Sequence, residues 1–351
     1  MSPAAAERKQ RWKLIITIFT FVALAVLVYA VRKQVGSTIE NLGQVNTWAL
    51  LLMIPLQLFN YDAYTRMYRD ILAVLDEHIS YKSMFGVQLE LNFVNHILPS
   101  GGVSGFSYFS VRMRDHKIPA GKSTLVQFMR FILIFISFQA LLLIGLILLA
   151  FSGNVNNFVI LISASLVTLL VVATFGLSFI IGSKERTKAF STYITKAVNR
   201  VIQVFRPRHP ETINVERVRN VFTDLHDNFL ILKRNYSKLR QPLFSSFIAN
   251  LTEVLTLYVV YIAFGKWVNP GAIILAYAVA NFAGLISFLP AGVGIFEGLM
   301  TAVLVATGVP AGVSIPVTVM YRIINMTIQL VPGYVLYYRN LHKKQPVADA
   351  Q

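Results

Sequence analysis

Cysteine is absent from this 351-residue chain, and acidic residues are scarce, with 16 Asp and Glu against 32 Lys and Arg. Without thiols there is no disulfide framework, no thiolate nucleophile and no Cys-based zinc site. The six histidines are scattered and show no His-Glu-x-x-His spacing, which argues against metal chemistry. Gly121-Lys122-Ser123-Thr124 resembles the end of a phosphate-binding loop, but His116 stands where that loop needs its first glycine, and no strand pattern precedes it. There is no Gly-x-Gly-Asp protease pattern, and the serines lack an evident base. The expectation is a protein that is not an enzyme and needs neither cofactor nor metal.

Hydrophobic residues are abundant instead, at 55% with a mean hydropathy of +0.60. Runs of about 18 or more apolar residues are the signature of membrane-spanning helices. Spans are expected at 14–31, 48–68, 124–151, 157–182, 243–264 and 311–338. Two further stretches, 83–111 and 271–307, are long enough to enter the membrane and leave on the same side. Arg8, Lys9, Arg11 and Lys13 precede the first run, which lacks a small-residue cleavage site and reads as a transmembrane helix rather than a signal peptide. The fold class is therefore all-α, a polytopic bundle of about six spanning helices plus two interrupted hairpins inserted from opposite sides, with eight or more membrane segments in all. Residues 1–338 form one transmembrane domain, 183–242 a basic cytoplasmic insertion and 339–351 a cytoplasmic tail.

The net charge of +16 has a location that decides its meaning. Between Lys184 and Arg240 lie thirteen basic and five acidic residues, which leaves +8, half of the total. Arg112, Arg114, Lys117 and Lys122 share one connector, and Arg339, Lys343 and Lys344 follow the last span. These are cytoplasmic flanks under the positive-inside rule, and both termini then fall in the cytoplasm. No basic module interleaved with aromatics is present, so nucleic acid is not an expected partner. Within the insertion, Phe190, Tyr193, Ile194, Ala197, Val198, Val201 and Phe205 recur at helical spacing, and Val218, Val221, Phe222, Leu225, Phe229 and Leu232 form a second stripe. This amphipathic pair is expected to lie on the membrane surface or cap the bundle.

The two hairpins look like each other. One reads Asn92-Phe93-Val94-Asn95-His96-Ile97-Leu98-Pro99-Ser100-Gly101-Gly102; the other opens on Asn281-Phe282 and breaks at Leu289-Pro290-Ala291-Gly292-Val293-Gly294. Paired, interrupted apolar segments in the two halves of a chain point to a transporter's central site. Pro99 and Pro290 are the expected helix breaks. Gly101, Gly102, Gly292 and Gly294 let a ligand approach the backbone where a helix restarts, and the free N–H groups there favour an anion. Asn92, Asn95 and Asn281 offer hydrogen bonds to headgroup or sugar hydroxyls, or simply join helices.

Intramembrane charge is the sharpest remaining signal, because an Arg or Asp near mid-span costs roughly 2.5 to 3.5 kcal/mol on insertion scales. Arg130, Glu253, Glu297 and Arg322 qualify; Asp62, Arg66, Glu90 and His96 rank second. Glu297 either neutralises one arginine and leaves the other for an anion, or forms a pair that only holds the hairpin. Arg130 either faces a site or snorkels to the interface. Arg130, Arg322, Glu297, Asn92, Asn95 and the four hairpin glycines form the candidate substrate-binding set.

Pro99-Ser100-Gly101-Gly102, Arg130 on a long apolar helix, Pro290 through Glu297 with Gly308 after it, and Tyr321-Arg322, in this order over nearly the whole chain, resemble the lysylphosphatidylglycerol synthase transmembrane family, also called flippase-like membrane proteins. The resemblance implies a prokaryotic cytoplasmic-membrane protein. Its best understood members move an aminoacylated phosphatidylglycerol to the outer leaflet, and other relatives are associated with polyprenyl-phosphate-linked sugars. Two departures stand out: only Arg339 to Gln351 follow the last span, where the synthase domain would be, and the residue before Arg130, often acidic in the family, is Met129. The expected function is translocation of an anionic or aminoacylated phospholipid or a polyprenyl-phosphate lipid. The alternatives are a lipid-binding scaffold or regulator and, behind it, a lipid-modifying enzyme. A homo-oligomer or a membrane partner protein is left open.

Overall fold

A computed structural model describes residues 45–97, 103–151, 157–205, 215–286 and 292–343, with isolated positions before residue 45. The expected first span at 14–31 therefore lies outside the described residues, as do Pro99, Gly101, Gly102 and Pro290. Every regular element among the described residues is helical. Helix α1 (Thr47–Leu51) runs almost directly into α2 (Met53–Val74), followed by α3 (Tyr81–Ile97), α4 (Val103–Asp115) and α5 (Ala120–Phe151). Next come α6 (Asn157–Ile181), α7 (Lys184–Phe205) and α8 (Val215–Arg234). A short 3-10 turn (Tyr236–Leu239) then opens α9 (Arg240–Ala263), α10 (Pro270–Ile286), α11 (Ile295–Ala306) and α12 (Ala311–Lys343).

The helix lengths repeat. Helices α2 to α5 have 22, 17, 13 and 32 residues, and α9 to α12 have 24, 17, 12 and 33. The turns repeat as well. After α2 and α9, and again after α4 and α11, the chain closes with the same bond from an N–H to the carbonyl five residues earlier: Glu77 to Leu72, Lys266 to Tyr261, Ile118 to Met113 and Val309 to Leu304, at 2.9–3.0 Å. This closure requires a left-handed residue next to the helix end. The first half uses Asp76 (φ 58°) and Lys117 (φ 63°), the second Gly265 (φ 64°) and Gly308 (φ 93°).

The halves run antiparallel. The Asn46 N–H reaches the Ala263 carbonyl at 2.9 Å, and further along Asn60 Nδ2 donates to the Ala249 carbonyl at 2.8 Å and to Thr252 Oγ1 at 3.1 Å, so α2 and α9 pair head to tail. Helix α3 packs along α12 and α10 along α5, each half lending its long helix to the other's interrupted pair. Both contacts use missing side chains. A Cβ at Gly333 would sit 2.7 Å from Phe93 Cβ, and one at Gly145 would sit 3.1 Å from Ile274 Cγ2. Small residues are how helices approach closely when lipid supplies no hydrophobic drive.

Pro332 shapes the same region. Lacking an N–H, it frees the Ile328 carbonyl one turn earlier, and Tyr61 of α2 donates its hydroxyl there at 3.4 Å.

Four segments are long and apolar enough to cross a membrane: Ala120–Phe151, Val159–Ile181, Tyr236–Ala263 and Ala311–Asn340. The stretch expected at 48–68 falls on α1 and α2, and 271–307 divides into α10 and α11. At about 1.5 Å per residue the 17-residue helices reach about 25 Å, short of a hydrocarbon core of about 30 Å. Helix α6 is flanking, with Ile160, Leu161, Leu169, Val172, Phe175 and Phe179 exposed as a lipid-facing surface requires. In the insertion, α8 buries Leu225 and Leu232 against the bundle, as its stripe predicted. Helix α7 turns the other way: Thr187, Ser191, Thr195 and Asn199 are buried while Tyr193 and Ile194 point outward.

The Gly333 contact is directly testable. Gly333→Ala should lower thermal stability in detergent by about 1–3 kcal/mol, because two backbones must part. Gly298→Ala, on an exposed helical face with nothing within 4 Å, should be neutral or slightly stabilising. Equal melting points for both variants would contradict the close approach.

Candidate functional site

Helix α11 begins at a glycine because the chain must turn through left-handed backbone there. Gly292 (φ 65°) and Gly294 (φ 89°) are both in this region, and Gly294 is the N-cap. The Gly294 N–H donates to Glu297 Oε2 at 2.6 Å, so the carboxylate folds back onto the start of its own helix, where the dipole favours negative charge. The other oxygen, Oε1, accepts from Arg322 Nε of α12 at 3.0 Å. Both side chains are about nine-tenths buried, with relative exposures of 9% and 11%. The Arg322 guanidinium lies 4.4 Å from the centre of the Phe296 ring, and Phe296 stacks in turn on Tyr321. This answers the question the sequence left open: Glu297 takes Arg322.

Arg130 occupies the matching place in the other half. It is the eleventh residue of α5, and Arg322 is the twelfth of α12. Its guanidinium carbon is 5.4 Å from the Phe131 ring centre, 5.5 Å from Tyr64 and 6.0 Å from Tyr68. Its Nε is buried without a hydrogen-bond partner, and no carboxylate among the described residues lies within ion-pair distance. The guanidinium thus stands among three aromatic rings. The counterpart of Glu297, the third residue of α11, is Gly105, the third residue of α4. There the Asn95 side chain fills the space a Cβ would need, approaching to 2.9 Å at Cγ. Asn95 Oδ1 is itself buried and has no hydrogen-bond partner among the described residues. Phe106, next to Gly105, stacks on Phe131 at 5.5 Å and brings this break to the turn of α5 that carries Arg130.

The remaining predicted residues divide. Asn92 accepts from Gln88 at 3.0 Å, its carbonyl holds His96 Nδ1 at 2.7 Å, and its side chain also bonds Tyr61 of α2, so it joins α3 to α2. Asn92-Phe93 and Asn281-Phe282 fall at the same places, twelfth and thirteenth, of α3 and α10. Asn281 is half-buried. Asp62 and Arg66 form a local pair at 2.8 Å on the surface. Lys122, from the loop-like motif, donates to Glu77 at 2.7 Å and to the Leu75 carbonyl at 2.9 Å, a tie between helix ends.

Two clusters exceed what the sequence ranking gave them. Glu90, 1% exposed, accepts from Arg112 Nε and the Tyr108 hydroxyl, each at 2.7 Å, and from Asn340, tying α3, α4 and α12 together. Glu253 of α9 meets only neutral donors, Tyr321 at 3.2 Å and Asn325 and Gln329 at 3.5 Å. The sequence held one clue to this cluster, the spacing of four in Tyr321, Asn325 and Gln329 on an otherwise apolar helix.

Removing one partner of a buried ion pair leaves an uncompensated charge, at a cost of about 3–5 kcal/mol. Glu297→Ala should destabilise the protein by that amount in thermal unfolding, and the double variant Glu297→Ala/Arg322→Leu should recover most of it. A double variant no better than the single one would show that the Glu297 cap, not the pair, carries the stability.

Comparison with known proteins agrees with this architecture. The model of the lysylphosphatidylglycerol synthase TM region matches residues 12–333. A UPF0104 membrane protein of Pyrococcus horikoshii is 23% identical over 154 residues, which is 42% of this chain and 46% of the relative. Two UPF0104 membrane proteins of Methanothermobacter thermautotrophicus are 34% identical over 91 residues (26% and 27% of the two chains) and 24% identical over 191 residues (54% of each). The chain thus spans about half or less of the length of the curated relatives it matches. With the match running through both interrupted pairs and both arginines, the chain is an integral membrane protein that belongs to the lysylphosphatidylglycerol synthase TM region family.

Proposed function

We propose that this protein is a lipid translocator that moves an anionic or aminoacylated phospholipid, or a polyprenyl-phosphate-linked lipid, between leaflets. The observation that carries the reading is Arg130, a buried guanidinium ringed by Tyr64, Tyr68 and Phe131 and left without a carboxylate among the described residues, while its counterpart Arg322 is paired. A guanidinium offers a fork of donors matched to phosphate oxygens, and the rings hold it without neutralising it. Asn95, whose carbonyl oxygen has no partner among the described residues, supplies an acceptor for a headgroup hydroxyl or ammonium. The acyl or prenyl tails stay in lipid.

The antiparallel halves support alternating access. The α3–α4 pair enters from the cytoplasmic side and α10–α11 from the other, each too short to cross alone. With the spans at 14–31 and 48–68 this gives six crossings, eight or more membrane segments and cytoplasmic termini in a prokaryotic inner membrane, with the basic α7–α8 pair inside. The headgroup enters from one leaflet, rests at Arg130 near the glycine breaks and leaves toward the other as the two hairpin pairs exchange exposure.

A second reading, a lipid-binding scaffold, is favoured by one observation: Tyr193 and Ile194 of α7 are 72% and 41% exposed on the insertion. Shortening α7 and α8 separates the two, since it abolishes scaffolding and spares lipid movement.

The test is a dithionite-quench assay on proteoliposomes with headgroup-labelled phosphatidylglycerol, aminoacyl-phosphatidylglycerol and polyprenyl-phosphate analogues. The protein should expose inner-leaflet label, and Arg130→Gln should slow this by about tenfold or more, the loss of a charge-assisted contact. Exchange by folded Arg130→Gln at the unmodified rate would sink the assignment.

A further inference from the structure

Glu253 is a buried carboxylate that the translocation reading leaves without a task. It sits on α9, 9% exposed, where α9 meets α2 and α12, and no ion pair reaches it among the described residues. Its contacts are neutral and long: the Tyr321 hydroxyl at 3.2 Å and Asn325 Nδ2 at 3.5 Å on Oε2, and Gln329 Nε2 at 3.5 Å on Oε1. Gln329 shares its amide with Gln57 Oε1 at 3.3 Å, and Gln57 in turn donates to Thr256 at 3.4 Å. The titratable groups that face the carboxylate are Tyr61 and Tyr64 of α2, Tyr277 of α10 and Tyr321 of α12. The guanidinium groups stand one residue further off. Tyr64 lies between Glu253 and Arg130 of α5, and Tyr321 precedes Arg322 of α12. Neither α1 nor the 3-10 turn contributes a charge at this level.

An unpaired carboxylate in such surroundings forfeits several kcal/mol of hydration, and neutral donors at this range return only part of it. Binding a proton removes the charge and turns the group into a donor, which then needs an acceptor. Asn325 has one to give. Its Oδ1 is buried with no hydrogen-bond partner among the described residues, while its Nδ2 serves both Glu253 and the Tyr321 hydroxyl, the latter at 3.2 Å. Turning the amide over presents Oδ1 to a carboxylic O–H and to the Tyr321 O–H. The cluster thus holds one hydrogen-bonded arrangement for each protonation state, with Nδ2 serving the charged carboxylate and Oδ1 the protonated one.

We infer that Glu253 is a proton-binding site, loaded from bulk water when an anionic headgroup occupies the bundle and emptied to bulk water when it leaves. Two negative charges within one apolar interior repel, so the proton favours headgroup occupancy and, by reciprocity, the headgroup favours the proton. The coupling rests on the translocation reading; the proton site itself does not.

The experiment uses the full chain in proteoliposomes and has two readouts. Infrared difference spectra between acid and alkaline buffer report the carbonyl stretch of a protonated carboxylic acid. Exchange of headgroup-labelled phosphatidylglycerol is followed across the same range. Exchange should fall about tenfold per pH unit above a single midpoint, as one titrating group requires. Glu253→Gln should lose both the infrared band and the pH dependence. Asn325→Leu, which removes a donor to the charged carboxylate, should move band and midpoint together to higher pH, a shift that a purely structural role would not produce. A band that persists in Glu253→Gln, or a wild-type pH profile in that variant, overturns the proposal. A band lost in Glu253→Gln in a preparation that exchanges no analogue upholds the proton site and overturns the translocation reading instead.

Discussion

Two guanidinium groups are enclosed in an apolar bundle, and one described carboxylate answers them. That imbalance governs the rest. Glu297 is held by the first turn of α11, which exists only because Gly294 takes a left-handed backbone, and its partner Arg322 is pinned between that carboxylate and the Phe296 ring. The second half is thereby closed electrostatically. In the first half the corresponding position is Gly105, the space goes to the Asn95 amide, and Arg130 keeps its charge among aromatic rings. The same backbone plan leaves one arginine paired and the other without a carboxylate among the described residues, through the choice of a single side chain.

The duplication explains how such a site is held in place. Interrupted helices of 17, 13, 17 and 12 residues leave backbone groups exposed at their inner ends, and irregular backbone at membrane depth survives only where protein covers it. Each half covers the other's break with its long helix, α12 along α3 and α5 along α10. The freed Ile328 carbonyl and its Tyr61 donor show the same exchange at the level of one bond. The two halves also meet along the α2–α9 seam, where Asn60, Gln57 and Glu253 lie.

Much of this was legible in the sequence, and the boundary follows interaction range. The glycine breaks, the four intramembrane charges and the Asn-Phe echo are local patterns and could be read directly. The choice of partner for Glu297 could not, because Arg322 lies 25 residues away across a turn whose geometry decides the pairing. Glu90 ranked low for the same reason, since its partners include Asn340, 250 positions on. Periodicity found the stripes of both insertion helices, but which stripe faces inward is set by neighbours. Helix α8 buries Leu225 and Leu232 as an apolar stripe suggests, whereas α7 buries hydroxyls, each bonded to a carbonyl of its own helix or of α6, and leaves Tyr193 and Ile194 outside.

The outward face of α7 has a further consequence for the basic insertion. A helix that presents Tyr193 and Ile194 together with Lys188 and Lys196 combines apolar contact with positive charge on one surface, the composition of helices that lie at an anionic interface. Each lysine near such a surface is worth about 1 kcal/mol, and burying the exposed apolar atoms adds to it. On the function proposed above, this surface rests on the cytoplasmic headgroup layer, while α8 packs against α5.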